Sequence, residues 1–183
     1  MRTVAKSWLS EAAEVDRAVY NAVSMTPTPR MDAVMRKVST AANYSRLSIA
    51  IAALMGAVGG PRGRRAAASG LVSVGATAAI INLVIKPLGR RRRPERPPAG
   101  ARAVPMPSSR SFPSGHTAAA VAFASGVARE LPLAGVPLQA LAALVGYSRV
   151  HTGVHYPGDV VAGALLGAGI ADVATSVVIR PGR

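Results

Sequence analysis

The chain contains no cysteine, no internal repeat and no strand-type alternation of apolar and polar residues. The missing cysteines exclude a disulfide framework and a thiolate metal site. The missing alternation excludes β-strands as the main element of the fold. Aromatic residues make up only 4% of the chain, and 18 glycines are spread through its apolar runs. Such a distribution of glycine is typical of helices that pack closely in a membrane.

Acidic residues are also scarce, with 8 Asp and Glu against 22 Lys and Arg. The formal net charge of +14 over 183 residues therefore predicts an anionic partner. Nucleic acid, an acidic membrane surface and a phosphorylated substrate all satisfy that prediction. Composition alone does not choose among the three.

Five uncharged or nearly uncharged apolar runs follow one another along the chain. They cover residues 47–60, 66–85, 117–128, 131–148 and 160–179, the last being interrupted by Asp172. The run 66–85 has twenty uncharged residues, the length that a bilayer crossing needs, whereas 47–60 is short for one. Since helices satisfy their backbone polar groups internally, the pattern predicts an all-α, integral-membrane helical bundle of about five spans.

The N-terminal region has a different pattern. Apolar residues recur there at helical spacing, on one face: Trp8, Ala12, Val15, Val19 and Ala22. The same stretch carries three acidic residues and lacks the uninterrupted apolar core of a signal peptide. We expect one domain over 1–183, with amphipathic interfacial helices in 1–45 and a transmembrane core in 46–183.

Three polar segments interrupt the apolar core, at 86–94, 113–116 and 148–159. If the run 66–85 ends on one membrane face, the loop up to His116 lies on that face. The next two helices cross the membrane and return, so 148–159 reaches the same face. The predicted topology therefore brings all three segments together.

These segments carry three motifs. They read Lys-x6-Arg-Pro from Lys86, Pro-Ser-Gly-His from Pro113, and Ser-Arg-x5-His-x3-Asp from Ser148. In this order and at this spacing the chain resembles the type 2 phosphatidic acid phosphatase (PAP2) family, a group of lipid phosphate phosphatases. Eleven specified residues agree without a departure, which chance does not explain.

The resemblance implies a metal-independent phosphatase with no cofactor, acting through a phosphohistidine. It implies that His155 is the nucleophile, that Asp159 orients it, and that His116 is the general acid. The physical requirements agree, because phosphoester cleavage needs a nucleophile, a proton donor and fixed positive charge. The expected phosphate-binding groups are Lys86, Arg93, Ser114, Gly115 and Arg149.

Some of these residues also have plainer interpretations. Arg90, Arg91 and Arg92 are more typical of a solvated basic run that binds lipid headgroups or nucleic acid. His151 and His155 have a spacing able to bind zinc, but Gly153 between them weakens that reading, and His151 is expected to be structural. A non-catalytic membrane protein that binds anionic lipid or nucleic acid through its arginines is the alternative of another class. The related vanadate-binding haloperoxidases are soluble and larger, which argues against their chemistry here.

The sequence bears less directly on which membrane face carries the site and on the substrate. Sixteen Lys and Arg fall on the motif side of the predicted topology and six on the other, which favours a cytoplasmic site in a multi-pass plasma or inner membrane protein. The resemblance favours the other side, because many members of that family act at the outer face. The alanine- and arginine-rich composition is typical of a high-GC bacterium. We expect a polyprenyl-linked phosphate of cell-envelope synthesis, of the decaprenyl-phosphoryl-phosphoribose or undecaprenyl diphosphate type. Phosphatidic acid and phosphatidylglycerol phosphate are the alternatives. The expected partners are the lipid bilayer and a second copy of the chain, not nucleic acid.

Overall fold

The computed structural model describes residues 2–96 and 102–178, and within these ranges every regular element is helical. Ile179, Arg180 and Arg183, which entered the sequence predictions, lie outside the described residues. The helices are α1 (Arg2–Met25), α2 (Pro29–Ala41), α3 (Arg46–Val58), α4 (Gly60–Ile80), α5 (Lys86–Leu88), α6 (Gly115–Glu130), α7 (Pro132–His151) and α8 (Pro157–Val178). A 3-10 turn (Asn43–Ser45) precedes α3, and a π-helical turn (Ile81–Ile85) joins α4 to α5. The all-α prediction is confirmed.

Residues that favour helix starts mark several of these boundaries. Proline lies in the first turn of α2, α4, α7 and α8, where its missing N–H leaves no intrahelical bond unmade. Ser114 is the N-cap of α6, as its position in the sequence predicts, and its side chain accepts from the Thr117 N–H. These starts place the polar segments at helix ends.

Helix α6 lies at the centre of the bundle and packs against α4, α7 and α8, while α3 packs on α4. Small residues allow the helices to approach. A Cβ on Gly126 would lie 2.7 Å from the Ser69 carbonyl oxygen, and one on Gly167 would collide with the Ala118 carbonyl oxygen. The Ser69 hydroxyl adds an interhelical hydrogen bond to the Gly126 carbonyl (2.7 Å). The core is therefore built from close backbone contact rather than from large side chains.

The described helices include three that are long and apolar enough to cross a membrane: Gly60–Leu88, Pro132–His151 and Pro157–Val177. The pair Pro29–Ala41 and Asn43–Val58, bent by 65°, makes a fourth if it counts as one span. Helix α6 has only 16 residues, about 24 Å at ~1.5 Å per residue, and its neighbours rather than lipid cover it. A membrane bundle is confirmed, whereas the number of five spans stays a prediction.

Helices α1 and α2 pack beside the bundle at its motif end, against α7 and α8. The inner face of α1 carries the buried Tyr20 and the half-buried Asp16. Its predicted apolar stripe points outward, with Trp8 68% exposed and Val15 63% exposed. An outward apolar stripe is what an interfacial helix needs, and its contact with lipid stays a prediction.

Candidate active site

The three polar segments meet at one end of the bundle, as the count of crossings predicts. The Ser114 N–H donates to the Asp159 carbonyl (2.9 Å), which joins the second segment to the third. Lys86 Nζ lies 3.6 Å from a Cβ built on Gly115, which joins the first to the second. Arg93 Nη1 lies 3.1 Å from His155 Nε2, which joins the first segment to the third.

His155 and Asp159 form a buried pair at the start of α8. His155 Nδ1 lies 3.5 Å from Asp159 Oδ2, and both side chains are almost fully buried. His155 stands in the turn before the helix, and Asp159 in the first helical turn, where the positive end of the helix dipole favours a carboxylate. The helix that begins at Pro157 therefore places Asp159 one turn beyond His155, beside the imidazole.

Asp159 is held by a full set of donors. Its Oδ2 accepts from the Ser111 hydroxyl (2.5 Å) and the Tyr156 N–H (3.0 Å). Its Oδ1 accepts from Arg91 Nη1 (3.0 Å). A buried carboxylate needs such partners to stay charged, so Asp159 is an anion fixed in place beside the imidazole.

The contacts of His155 define which nitrogen can react. Arg93 Nη1 is always a donor, so the Nε2 that faces it carries a lone pair, and the ring proton is on Nδ1, facing Asp159. Burial lowers the pKa of His155 to about 4, with the charges of Arg93 and Arg149 adding to that effect and Asp159 opposing it. At neutral pH the imidazole is therefore uncharged, which a nucleophile requires.

Two further cations, Lys86 and Arg149, belong to the same site as Arg93. Lys86 Nζ and Arg93 Nη2 both donate to the Ser109 hydroxyl, each at 3.2 Å, and Arg93 Nε donates to the Ser109 carbonyl (2.9 Å). Burial lowers the pKa of Arg93, with Asp159 opposing, but a guanidinium remains charged at neutral pH. Arg149 is 2% exposed and donates to the Ser39 hydroxyl (2.6 Å). Donors that already converge on oxygen atoms of the chain suit phosphate oxygens equally well.

His116 lies in the first turn of α6, and its Nε2 is 3.0 Å from Asn43 Oδ1. An amide oxygen only accepts, so this contact places a proton on Nε2. The Ser114 hydroxyl is fully buried and lies 2.9 Å from the Thr117 hydroxyl, where it caps the helix. Direct phosphate binding by Ser114 and by the Gly115 N–H stays a prediction, and the helix start they define is suited to an anion.

Comparison with known proteins identifies the family. The family model of the PAP2 superfamily matches residues 67–182. The chain belongs to this superfamily. It is a membrane phosphatase, and the resemblance drawn from the three motifs is confirmed.

Several relatives of the PAP2 chain are similar over most of their length. It is 42% identical over 135 residues to a decaprenylphosphoryl-5-phosphoribose phosphatase of Mycobacterium tuberculosis, covering 69% of this chain and 70% of the relative. It is 37% identical over 164 residues to the phosphatase of the same name from Mycolicibacterium smegmatis, covering 85% and 84%. Among solved structures it resembles a transmembrane PAP2 type phosphatidylglycerolphosphate phosphatase from Bacillus subtilis. That match has a TM-score of 0.71 and 26% identity, and covers 94% of this chain and 89% of the other.

The sequence-based prediction for Arg91 of this PAP2 protein is wrong. We expected it in a solvated basic run, but it bridges Asp159 to Asp16 of α1 and lies over the Tyr156 ring at 4.2 Å from the centroid. The Asp16 Oδ1 in turn accepts from the Gly158 N–H (2.7 Å). Nothing in the sequence distinguishes one arginine of the run from its neighbours, because Asp16 is distant along the chain. Exposed Arg90 and Arg92 fit the original expectation.

Two further contributors were also missed. Asn43 contacts His116 from the turn between α2 and α3, and Ser111 contacts Asp159 from just before the second motif. Ser111 lies two residues from Pro113, so proximity to a motif was an available signal. Asn43 offered none, because isolated asparagines are ordinary in turns.

His151 lies outside this cluster of candidate site residues. It is buried, and its Nε2 lies 3.0 Å from Asp32 Oδ1, which also accepts from Arg102 Nε (2.8 Å). The zinc alternative required His151 and His155 to share one ligand. Their Nε2 atoms instead face a carboxylate and a guanidinium respectively, and a cation beside His155 does not suit a metal. The contacts of His151 fit the structural role that we expected.

Proposed function

We propose that this protein removes the terminal phosphate of a polyprenyl-linked sugar phosphate, with decaprenylphosphoryl-5-phosphoribose as the best candidate. The observation that carries the proposal is the orientation of His155, whose unprotonated Nε2 faces the cation Arg93 while its Nδ1 faces Asp159. The similarity of two mycobacterial phosphatases, at 42% and 37% identity, supports the substrate.

The first half of the reaction transfers the phosphoryl group to the protein. His155 Nε2 attacks phosphorus while the bond from phosphorus to the leaving oxygen breaks. Burial and the nearby Arg149, Lys86 and Arg93 lower the pKa of His116 to about 3, and the negative charge of the bound phosphate opposes that shift. His116 protonated in this complex gives its proton to the leaving oxygen, so the product leaves as an alcohol. Lys86, Arg93 and Arg149 stabilise the charge on the equatorial oxygens, and Asp159 stabilises the imidazole as it becomes positive.

The second half releases inorganic phosphate. Water attacks phosphorus, the neutral His116 accepts its proton, and the bond between phosphorus and nitrogen breaks. His155 returns to its starting state, and His116 is again protonated. Every group used is a side chain of this protein, and the two histidines exchange no proton with each other.

The testing experiment measures phosphate release by purified protein in detergent with EDTA, comparing wild type with His155→Ala. The panel holds a polyprenyl-phosphoryl-phosphoribose, undecaprenyl diphosphate, phosphatidic acid and phosphatidylglycerol phosphate. We expect release that depends on His155 and is fastest from the first lipid. A folded wild type that releases phosphate from none of them would overturn the proposal and favour a non-catalytic lipid-binding protein. Against that alternative, Arg91 and Arg93 are both engaged in inward contacts.

We also infer that the site faces the cytoplasm. Helices α1 and α2 contact the motif end through Asp16 and Asp32, so their basic residues belong to the motif side of the count. Because the chain has no cysteine, a single introduced one is a clean probe. Ser108→Cys lies on the motif side and Arg62→Cys on the other, and both positions are exposed. In intact cells an impermeant maleimide should label only the Arg62→Cys protein, and the reverse result would place the site outside.

Self-association in the membrane is the remaining proposal on partners. Apolar side chains are exposed along α8, with Leu165 70% exposed and Val177 73% exposed. Helices of this composition gain packing contacts by pairing with a second copy. Cross-linking in native membranes should trap a dimer or larger assembly, and recovery of monomer alone would contradict this.

A further inference from the structure

A small cleft opens beside His116 on the motif side of the bundle. Its volume is about 340 Å³, near the lower end of the range for small-molecule sites. Its polar lining is Asn43, His116 and Arg149, and its apolar lining includes Tyr44, Met106 and two prolines. We propose that this cleft is the subsite for the leaving alcohol, that it accepts a hydroxylated ring such as a pentose, and that Asn43 reads its hydroxyl groups.

The first argument for this assignment is the position of the cleft. His116 and Arg149 line it, while the nucleophile His155 does not. In-line displacement places the leaving oxygen on the opposite side of phosphorus from the attacking nitrogen. A cleft that borders the general acid but not the nucleophile is therefore where the leaving group must lie.

The second argument is the backbone conformation of the connection between α2 and α3. Tyr44 and Ser45 are both in the left-handed region, each with φ of 55°, a conformation that costs free energy for residues other than glycine. The chain bends by 65° here. This kink interrupts what would otherwise be a continuous helix and brings the Asn43 amide against His116. Such strain is common where a site demands a particular placement.

The third argument is the chemistry of the side chains that line the cleft. Asn43 Oδ1 accepts from His116, which leaves both N–H groups on Asn43 Nδ2 for another acceptor. Arg149 Nε is buried and has no hydrogen-bond partner among the described residues. The remaining walls are apolar, from the Tyr44 ring to Met106 and the two prolines. Unused donors above apolar walls suit a sugar ring, whose edge carries hydroxyl oxygens and whose face is apolar.

This assignment rests on the proposed function and deepens it. With Nε2–H of His116 directed to Asn43, Nδ1 is the nitrogen left to protonate the leaving oxygen. Asn43 therefore has two separable roles, since it orients His116 and also contacts the substrate. A diacylglycerol leaving group has no free hydroxyl for the second role, whereas a ribose does.

The test compares kcat/KM of wild type and Asn43→Ala on three substrates. These are a polyprenyl-phosphoryl-phosphoribose, phosphatidic acid and p-nitrophenyl phosphate, whose leaving group needs neither a proton donor nor a hydroxyl contact. We expect the variant to lose roughly tenfold more on the ribosyl lipid than on phosphatidic acid, the value of about one hydrogen bond. We expect p-nitrophenyl phosphate to show the smallest fall in kcat/KM of the three, because kcat/KM covers only the phosphoryl transfer and not the later water attack in which His116 is the base.

Equal losses on the two lipids would overturn the subsite, because they would mean that Asn43 acts only through His116. Met106→Ala, a change in the exposed wall, should give a selective loss in the same direction, and no selectivity there would also count against the subsite. Asn21→Ala on the exposed face of α1 is the matched control and should change nothing. A wild type inactive on all three substrates would instead overturn the proposed function, and the subsite with it.

Discussion

The two ends of the helical bundle use the same kinds of charged residue in opposite ways. At the motif end, Arg91 joins Asp159 to Asp16, with the Asp159 side chain 0% exposed. At the far end, Arg129 and Asp172 form an ion pair at 2.6 Å whose side chains are 48% and 65% exposed. The exposure of Asp172 explains how the last apolar run of the sequence tolerates an acidic residue.

The comparison shows that burial, rather than pairing, decides what a charge contributes. An exposed pair is screened by water and adds little to stability. Removing one partner of a buried set leaves the other charge without compensation, which is costly. The bundle thus concentrates its energetically important charges at the end that carries the candidate active site.

The largest expected effect is on catalysis, from Asp159→Asn. The substitution keeps the shape of the side chain but removes the charge that holds the Nδ1 proton of His155 and stabilises the imidazolium. We expect kcat to fall by about 10³ to 10⁴, as for loss of the carboxylate in other histidine-based sites. Asp172→Asn is the matched control at the far end, and phosphate release is the measurement. A loss below tenfold for Asp159→Asn would show that the carboxylate is not needed.

Arg91→Ala should have the next largest effect. The change leaves two buried or half-buried carboxylates, Asp159 and Asp16, without their shared cation. We expect activity to fall by about 10- to 100-fold, typical of groups that orient a reacting side chain, together with lower thermal stability. The adjacent Arg92→Ala is the control, because that residue is exposed. If Arg91→Ala and Arg92→Ala had the same activity and thermal stability, the original prediction that both belong to a solvated basic run would stand.

The low pKa of His155 predicts a dependence of stability on pH. Because the pKa falls from 6.5 to about 4 in the folded protein, the unfolded chain binds this proton first as pH decreases. The folded state therefore loses stability between pH 6.5 and 4, by up to about 3 kcal/mol for this group. In detergent, the Tm of the wild type should fall relative to the Tm of His155→Gln as the pH decreases from 6.5 to 4. Parallel curves for the two proteins would refute the shifted pKa.

The smallest effect is expected at the far end. Arg129→Ala breaks an exposed pair, so its free energy of unfolding should change by less than about 0.5 kcal/mol, with activity unaltered. Thermal unfolding in detergent at low and high salt is the measurement. A large loss of stability would mean that the two ends are not as different as their burial indicates.

Much of the helical fold and of the site follows from local patterns. Prolines and Ser114 mark helix starts, and apolar runs separated by polar segments place 86–94, 113–116 and 148–159 at one end. The run 117–128 shows where this reasoning stops. It has the composition of a short span, but whether α6 is covered by lipid or by other helices depends on its neighbours.

The amino-acid sequence by itself determined the helical elements, the family and the candidate site residues. It did so because capping, hydropathy and motif spacing are properties of residues close together in the chain. Only the tertiary structure decided that Arg91 rather than Arg90 or Arg92 contacts Asp159, and that Asn43 contacts His116. Those contacts depend on where α1 and the α2–α3 kink pack against the bundle. Packing of that kind sums many weak interactions between distant segments, and no local pattern encodes it.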